Sequence, residues 1–275
     1  MHVRRLSGYI GAVVEGIDLG KLNQADIDAI KAAYLAHQVL FFREQTLSPD
    51  ALVNLAEQFG KIQKPHPALK LSPLHPYIFL IETTQDDDTS KYNANWHTDV
   101  SFDATPPSAS LMQAVVVPEV GGDTLYASMY AAYSNLSQRV REMIEGLHAL
   151  HDGFSRFRFQ LTDPKDHVRL KELQEKYPGA IHPVVRRHPD TGRKALYVNR
   201  SFTTRIIELS DVESRNVLSL LLEQAEQSTY QVRWSWQAGD VALWDNRCAM
   251  HYAAWDYGDS HRVMHRITVE GERPS

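Results

Sequence analysis

Short apolar runs rich in β-branched and aromatic residues, each cut off by a turn former, recur along this chain and restrict it to a fold built mainly of short strands. They are YIFLIE (77–82), SASLMQAVVV (108–117), KALYVN (194–199), YQVRWSWQ (230–237), DVALWDN (240–246) and HRVMHRITVE (261–270), separated by Pro, Gly, Asp or Asn. Strands of this kind close into a sandwich or a jelly-roll barrel. Helix-like spacing appears at residues 23–44, where it runs into the buried-strand pattern VLFFRE, and at 129–150 and 211–227. A further helix is marked at 47–61 by Ser48 as N-cap, Pro49 at the first helical position and Gly60 as the closing residue. These helices are expected to pack outside the β core. Residues 152–183 are charged and weakly patterned, as expected of an insertion or lid.

At 275 residues without a linker or repeat, the chain is expected to form one domain, 1–275. A net charge of -5 offers no basic footprint for nucleic acid. Gly, Glu and Asp interrupt the apolar N-terminal run, which predicts neither a signal segment nor a membrane span and a cytoplasmic location. The single cysteine, Cys248, has no partner for a disulfide or a Cys-type zinc site, so any metal must be held by His, Asp or Glu. A small apolar role suits Cys248.

The stretch NANWHTDVSF (93–102) places His97 and Asp99 two residues apart. In extended backbone such residues point the same way, so an imidazole and a carboxylate can face one ion. An HxD pair alone is weak evidence, and an ordinary polar loop is the plainer reading. A third donor is available in His251 of WDNRCAMHYAAWDY (244–257), which follows a predicted strand. Two histidines and one carboxylate leave positions open, the arrangement of non-haem Fe(II) oxygenases. Such a site needs a reductant, and a chelating keto acid would require a cation at its far carboxylate. In HRVMHRITVE, Arg262, Met264 and Arg266 share one strand face, so two guanidinium groups can grip two anions. Surface arginines paired to acids are the bland alternative. The tryptophans Trp234, Trp236 and Trp244 are expected to pack inside or line a pocket, and Asp86, Asp87 and Asp88 to form a solvated loop.

Together NWHTDVSF, GGDTLYASMYAAY, HPVVRRHPDTGRKALYVNRSFTTRI, WDNRCAMHYA and HRVMHRIT resemble the taurine dioxygenase family of Fe(II)/2-oxoglutarate-dependent oxygenases, from YIGAVVEGIDL to HRITVEGERP in one order. The resemblance implies a double-stranded β-helix, or jelly roll, with flanking helices and a lid. It implies His97, Asp99 and His251 as iron ligands, with Thr124 and Arg262 at the distal carboxylate of 2-oxoglutarate. Dioxygen is the other implied cosubstrate. Because Asp99 is retained, hydroxylation is implied rather than halogenation. Arg266 and His66 match residues that hold the substrate's sulfonate, and Asn93 and Phe202 match residues lining that pocket. At Leu69 the chain departs from taurine dioxygenase, which has a tyrosine there. Losing that polar contact costs about 1 to 3 kcal/mol if its partner is left unpaired.

The expected reaction hydroxylates the carbon beside the anionic group of taurine or a related alkanesulfonate and releases sulfite with an aldehyde. Alkyl sulfate esters and aryloxyalkanoates are the alternatives that suit Leu69. The resemblance also favours a homodimer or homotetramer. A zinc hydrolase could use the same three ligands but would leave the second arginine without a purpose. A non-catalytic anion-binding barrel would bind no metal at all.

Overall fold

Asn23 starts helix α1 (Gln24–His37) with a reciprocal cap: its side chain accepts from the Asp26 amide, and the Asp26 carboxylate accepts from the Asn23 amide. Ser48 caps α2 (Pro49–Glu57) by accepting from the Ala51 amide, with Pro49 in the first turn as expected. Each such cap stabilises its helix by about 1 kcal/mol. The computed structural model describes residues 1–64, 71–83, 94–153, 171, 172, 175 and 178–275.

An eight-stranded sheet forms the largest layer. Its order is β1 (His2–Arg5), β2 (Ala12–Glu15), β3 (Val39–Phe42), β14 (Val241–Asp245), β6 (Ala109–Val116), β16 (Arg262–Val269), β5 (His75–Thr83) and β4 (Leu71–Ser72). All neighbours are antiparallel except β2 and β3. Against one face lies a three-stranded sheet of β13 (Gln231–Trp234), β7 (Thr124–Ser128) and β15 (Ala249–Ala253). A second three-stranded sheet contains β12 (Thr203–Ile206), β8 (His148–His151) and β9 (Ala180–Pro183), and β10 (Val185–Arg187) pairs with β11 (Lys194–Leu196).

Burial on both faces explains why the central strands read as continuous apolar runs. Leu40 and Phe42 of β3 pack with Ile30 and Leu52 beneath α1 and α2. Val39 and Phe41, pointing the other way, pack with Tyr126, Trp234, Trp244 and Met264 between the sheets. Full burial of one such side chain contributes about 1.5 to 3 kcal/mol. A separate cluster joins Tyr130 and Ala131 of α3 (Met129–Ser134) to Leu218 and Leu221 of α5 (Asp211–Ala225).

The helical pattern at 129–150 is corrected by the structure. It comprises α3, then α4 (Gln138–Ile144), then strand β8. Asn135 donates its side-chain amide back to the Ala131 carbonyl, and Ser137 recaps the chain for α4, so local side-chain bonds interrupt the helix. Gly146 at φ +79° then releases the backbone into β8. At the end of the expected lid, residues 180–183 form β9, paired with β8. Residues 154–170, 173, 174, 176 and 177 of that segment lie outside the described residues, as do Asp86, Asp87 and Asp88. Among the described residues, no helix is long and apolar enough to cross a membrane.

Candidate metal centre and anion pocket

His251 follows strand β14 as expected and itself lies within the next strand, β15, and His97 pairs with it as an isolated antiparallel bridge. The two exchange both backbone hydrogen bonds, at 2.9 and 2.8 Å. That register brings their rings to the same face, with centroids 4.2 Å apart. Asp99 Oδ1 is 3.8 Å from His97 Nε2 and 3.7 Å from His251 Nε2. Donors bound to one ion at about 2.1 Å lie about 3 to 3.5 Å apart, so movements of a few tenths of an ångström would complete a shared site.

The protonation states suit a metal. His97 Nδ1 lies 2.8 Å from the Asn95 carbonyl and donates to it, which makes Nε2 the ring nitrogen that carries the lone pair. Burial, then the neighbouring His97, holds the His251 pKa well below the usual imidazole range, so this ring is neutral. The donor set of two imidazoles and one carboxylate fits ferrous iron. A second buried group, His188, Asp245 and Cys248, is occupied by its own partners. Arg247 donates to both Asp245 oxygens at 2.8 Å, and His188 Nε2 lies 2.9 Å from Oδ2. Burial raises the Cys248 thiol pKa, in keeping with a small apolar residue.

The loop after Asp99 is strained and anchored. Val100 is β-branched yet sits at φ +47°, a conformation costing about 1 to 3 kcal/mol. On its far side, Asn199 donates to Ser101 Oγ at 2.9 Å, and His151 Nδ1 lies 3.0 Å from the same oxygen. His182 Nε2 reaches the carbonyls of Ser101 and Asp103 at 3.0 and 2.9 Å. Burial pushes the His151 pKa down to about 3. Because the folded value is depressed, the unfolded chain takes the proton first. The stability contributed by neutral His151 is complete above about pH 6.5 and is lost as pH falls toward 3. At pH 5 the expected loss is about 2 kcal/mol. Urea unfolding at pH 7.5 and 5 will measure it, and an undiminished pH dependence in His151→Asn would refute this assignment.

Arg262 and Arg266 stand opposite Thr83 and Phe79 of β5. Both are buried, at 5% and 8% exposure, and the Nε of each lacks a hydrogen-bond partner among the described residues. Burial lowers both pKa values, that of Arg266 to about 9. The Arg266 guanidinium lies 4.8 Å from the Trp244 ring and 5.3 Å from that of Phe79, and it touches Asp99 Oδ2. Arg262 approaches the Gly121–Gly122 turn, whose residues have φ of +81° and +72°. A Cβ on Gly122 would come 3.3 Å from Arg262 Nε, so glycine gives the guanidinium its space.

Thr124 follows this turn as the first residue of β7. Trp236 donates to Thr124 Oγ1 at 3.0 Å, leaving the hydroxyl proton for another acceptor. Phe202 stands edge-on to His97, with centroids 6.2 Å apart, and packs on Phe102. Trp234 stacks on Phe41 at 4.2 Å. His66, Leu69 and Asn93 lie outside the described residues. Ser110, Asn246 and His151 escaped sequence reasoning because no local motif links them to the HxD stretch. Only the folded chain brings them beside residues 97–101.

The family model described as "Taurine catabolism dioxygenase TauD, TfdA family" matches residues 2–268, and the chain belongs to this family. It is accordingly an Fe(II)/2-oxoglutarate-dependent dioxygenase, whose cosubstrates are 2-oxoglutarate and dioxygen. It is 36% identical to an alpha-ketoglutarate-dependent sulfate ester dioxygenase of Pseudomonas putida, over 100% of this chain and 91% of the relative. A crystal structure of a taurine dioxygenase from Burkholderia xenovorans superposes with a TM-score of 0.82 at 35% identity, covering 99% of this chain and 92% of the other. The structure of AAD-2 in complex with Mn(II) and N-oxalylglycine superposes with a TM-score of 0.87 at 28% identity, covering 100% and 99% of the two chains.

Proposed function

We propose that this dioxygenase hydroxylates the carbon bearing the anionic group of a small organic sulfate ester or sulfonate, with sulfate esters preferred. The observation carrying this reading is Arg266, a buried guanidinium with an unpartnered Nε, flanked by aromatic rings beside Asp99. One Arg266 nitrogen is paired with Asp99 Oδ2, a carboxylate that the metal would share, so Nε remains for a second anion, and a planar guanidinium suits a group with several equivalent oxygens. Leu69 in place of a polar residue favours an alkyl chain over the ammonium group of taurine. Sulfate ester activity in a relative 36% identical supports the same preference.

In this reading His97, Asp99 and His251 hold the metal, while Arg262 and Thr124 bind the distal carboxylate of 2-oxoglutarate. Arg266 and His66 hold the substrate anion, and Leu69, Asn93 and Phe202 line its pocket. Bound Fe(II), with 2-oxoglutarate and dioxygen, supplies the oxidant for C–H hydroxylation. The protein fixes which carbon is presented, because Arg266 anchors the anion close to the His97–Asp99–His251 face. Aromatic walls keep water from that face. One oxygen atom of dioxygen ends in succinate, formed with CO2. The other ends on the substrate carbon, whose adduct collapses to an aldehyde with loss of sulfate, or of sulfite from a sulfonate.

The large sheet and the sheet of β13, β7 and β15 act as the two walls of a jelly roll in one domain spanning 1–275. The segment 152–183, apart from β9, serves as its lid, and the protein works in the cytoplasm as a homodimer or homotetramer. Apoprotein reconstituted anaerobically with Fe(II) and 2-oxoglutarate, then given oxygen, tests the activity. Hexyl sulfate is expected to stimulate succinate formation more than taurine does, with equimolar sulfate release. Stimulation by taurine alone would reverse the substrate preference, and stimulation by no sulfate or sulfonate would defeat the substrate assignment.

A further inference from the structure

Asp99 divides the work of its two oxygens. Oδ1 faces Nε2 of both histidines, whereas Oδ2 accepts from the Ser110 hydroxyl at 2.7 Å and is also touched by the Arg266 guanidinium. Behind Ser110 the hydrogen bonds run in one direction. Trp244 Nε1 donates to Asn246 Oδ1 at 3.0 Å, which turns the Asn246 amide nitrogen toward Ser110 Oγ, where it donates at 2.8 Å. With that lone pair occupied by Asn246, the Ser110 proton is directed at Asp99. Trp244, Ser110, Asn246 and Asp99 are at most 4% exposed, so water does not substitute for any of these bonds.

The strand register builds this relay. Trp244 of β14 stands opposite Ser110 of β6. The Asn246 amide donates to the Ser108 carbonyl at 3.0 Å, and Asp245 is locked by Arg247 and His188. The turn between β14 and the His251 strand therefore has little freedom. A hydroxyl at so buried a strand position adds nothing to packing that alanine or valine would lack. That hydroxyl donates to Asp99 and accepts from Asn246 Nδ2 and, at 3.4 Å, from Arg266.

We infer that Ser110 and Asn246 are positioning residues that hold Asp99 so that it presents a single oxygen, Oδ1, to the metal. The inference rests on the reading of His97, Asp99 and His251 as the metal ligands. A carboxylate free to rotate can attach through both oxygens and take a position that the open face of a facial triad requires. Hydrogen bonds from neighbouring residues are the usual means of preventing this, and losing one typically costs 10- to 100-fold in metal affinity.

Mn(II) titration of the apoprotein, followed by electron paramagnetic resonance, tests the inference without oxygen chemistry. Folded Ser110→Ala is expected to bind Mn(II) about 10- to 100-fold more weakly than the unsubstituted protein. The visible bands of its Co(II) complex are expected to shift as Asp99 changes its mode of attachment. A lower melting temperature of the metal-free variant with unchanged Mn(II) affinity would indicate a merely structural role and overturn the inference. Should Ser110→Ala fail to fold, Asn246→Ala decides: weaker Mn(II) binding supports the relay, and unchanged binding refutes it. Failure of the unsubstituted protein to bind Mn(II) removes the ligand reading itself, and this inference with it.

Discussion

Alanine in place of His251 is expected to weaken Fe(II) or Mn(II) binding by on the order of 100- to 1000-fold, because each ligand of a several-ligand site carries roughly 3 to 4 kcal/mol of the binding free energy. Substrate-dependent succinate formation should fall to background at micromolar iron. The fold should persist. His251 lies in a strand held by its backbone register with β7, and its ring contacts Tyr126 and Trp244, which remain packed with Phe41 and Met264 after truncation. Isothermal titration with Mn(II) and a circular dichroism spectrum separate the two effects. A folded variant with unchanged metal affinity would show that the three donor atoms, although within 4.8 Å of one another, do not share an ion.

The second large effect separates the two arginines. Arg262→Ala is expected to raise the apparent KM for 2-oxoglutarate at least 30-fold, as removing one member of a buried charged pair costs about 2 to 5 kcal/mol. Arg266→Ala is expected to act on the KM for the sulfate ester or sulfonate instead. The separation follows from β16: the two residues share a face but stand opposite different positions of β5, Thr83 and Phe79. Their surroundings differ as well. Arg262 lies beside the glycine turn that leads into Thr124, and Arg266 beside Asp99 and Trp244. Steady-state kinetics with each cosubstrate varied in turn is the measurement. Equal rises in both constants for both variants would mean that the arginines support one shared pocket.

Local sequence carried most of the helix boundaries, because a capping side chain and the amide it satisfies lie within three residues of each other. Asn23 and Ser48 are such cases. Strands were legible where both faces are buried, as in VLFF and VALWD, whose burial yields unbroken apolar runs. The expected helix over 129–150 failed for a physical reason: its apolar spacing is satisfied equally by two short helices and a strand once Asn135 and Ser137 bond to the local backbone.

The sequence by itself determined the chemistry on offer: two histidines, a carboxylate two residues from one of them, and two arginines on one strand face. The arginine pair was readable because the period of a strand is two and a spacing of four returns side chains to one face of β16, whereas His97 is an isolated bridge and Asp99 lies in a turn. Tertiary structure alone decided that His97 and His251 exchange backbone hydrogen bonds across 154 positions of sequence. It also decided that Asp99 turns one oxygen toward them and the other toward Ser110. Relations of that kind depend on strand register between distant segments, which the burial of whole faces selects and no local spacing encodes.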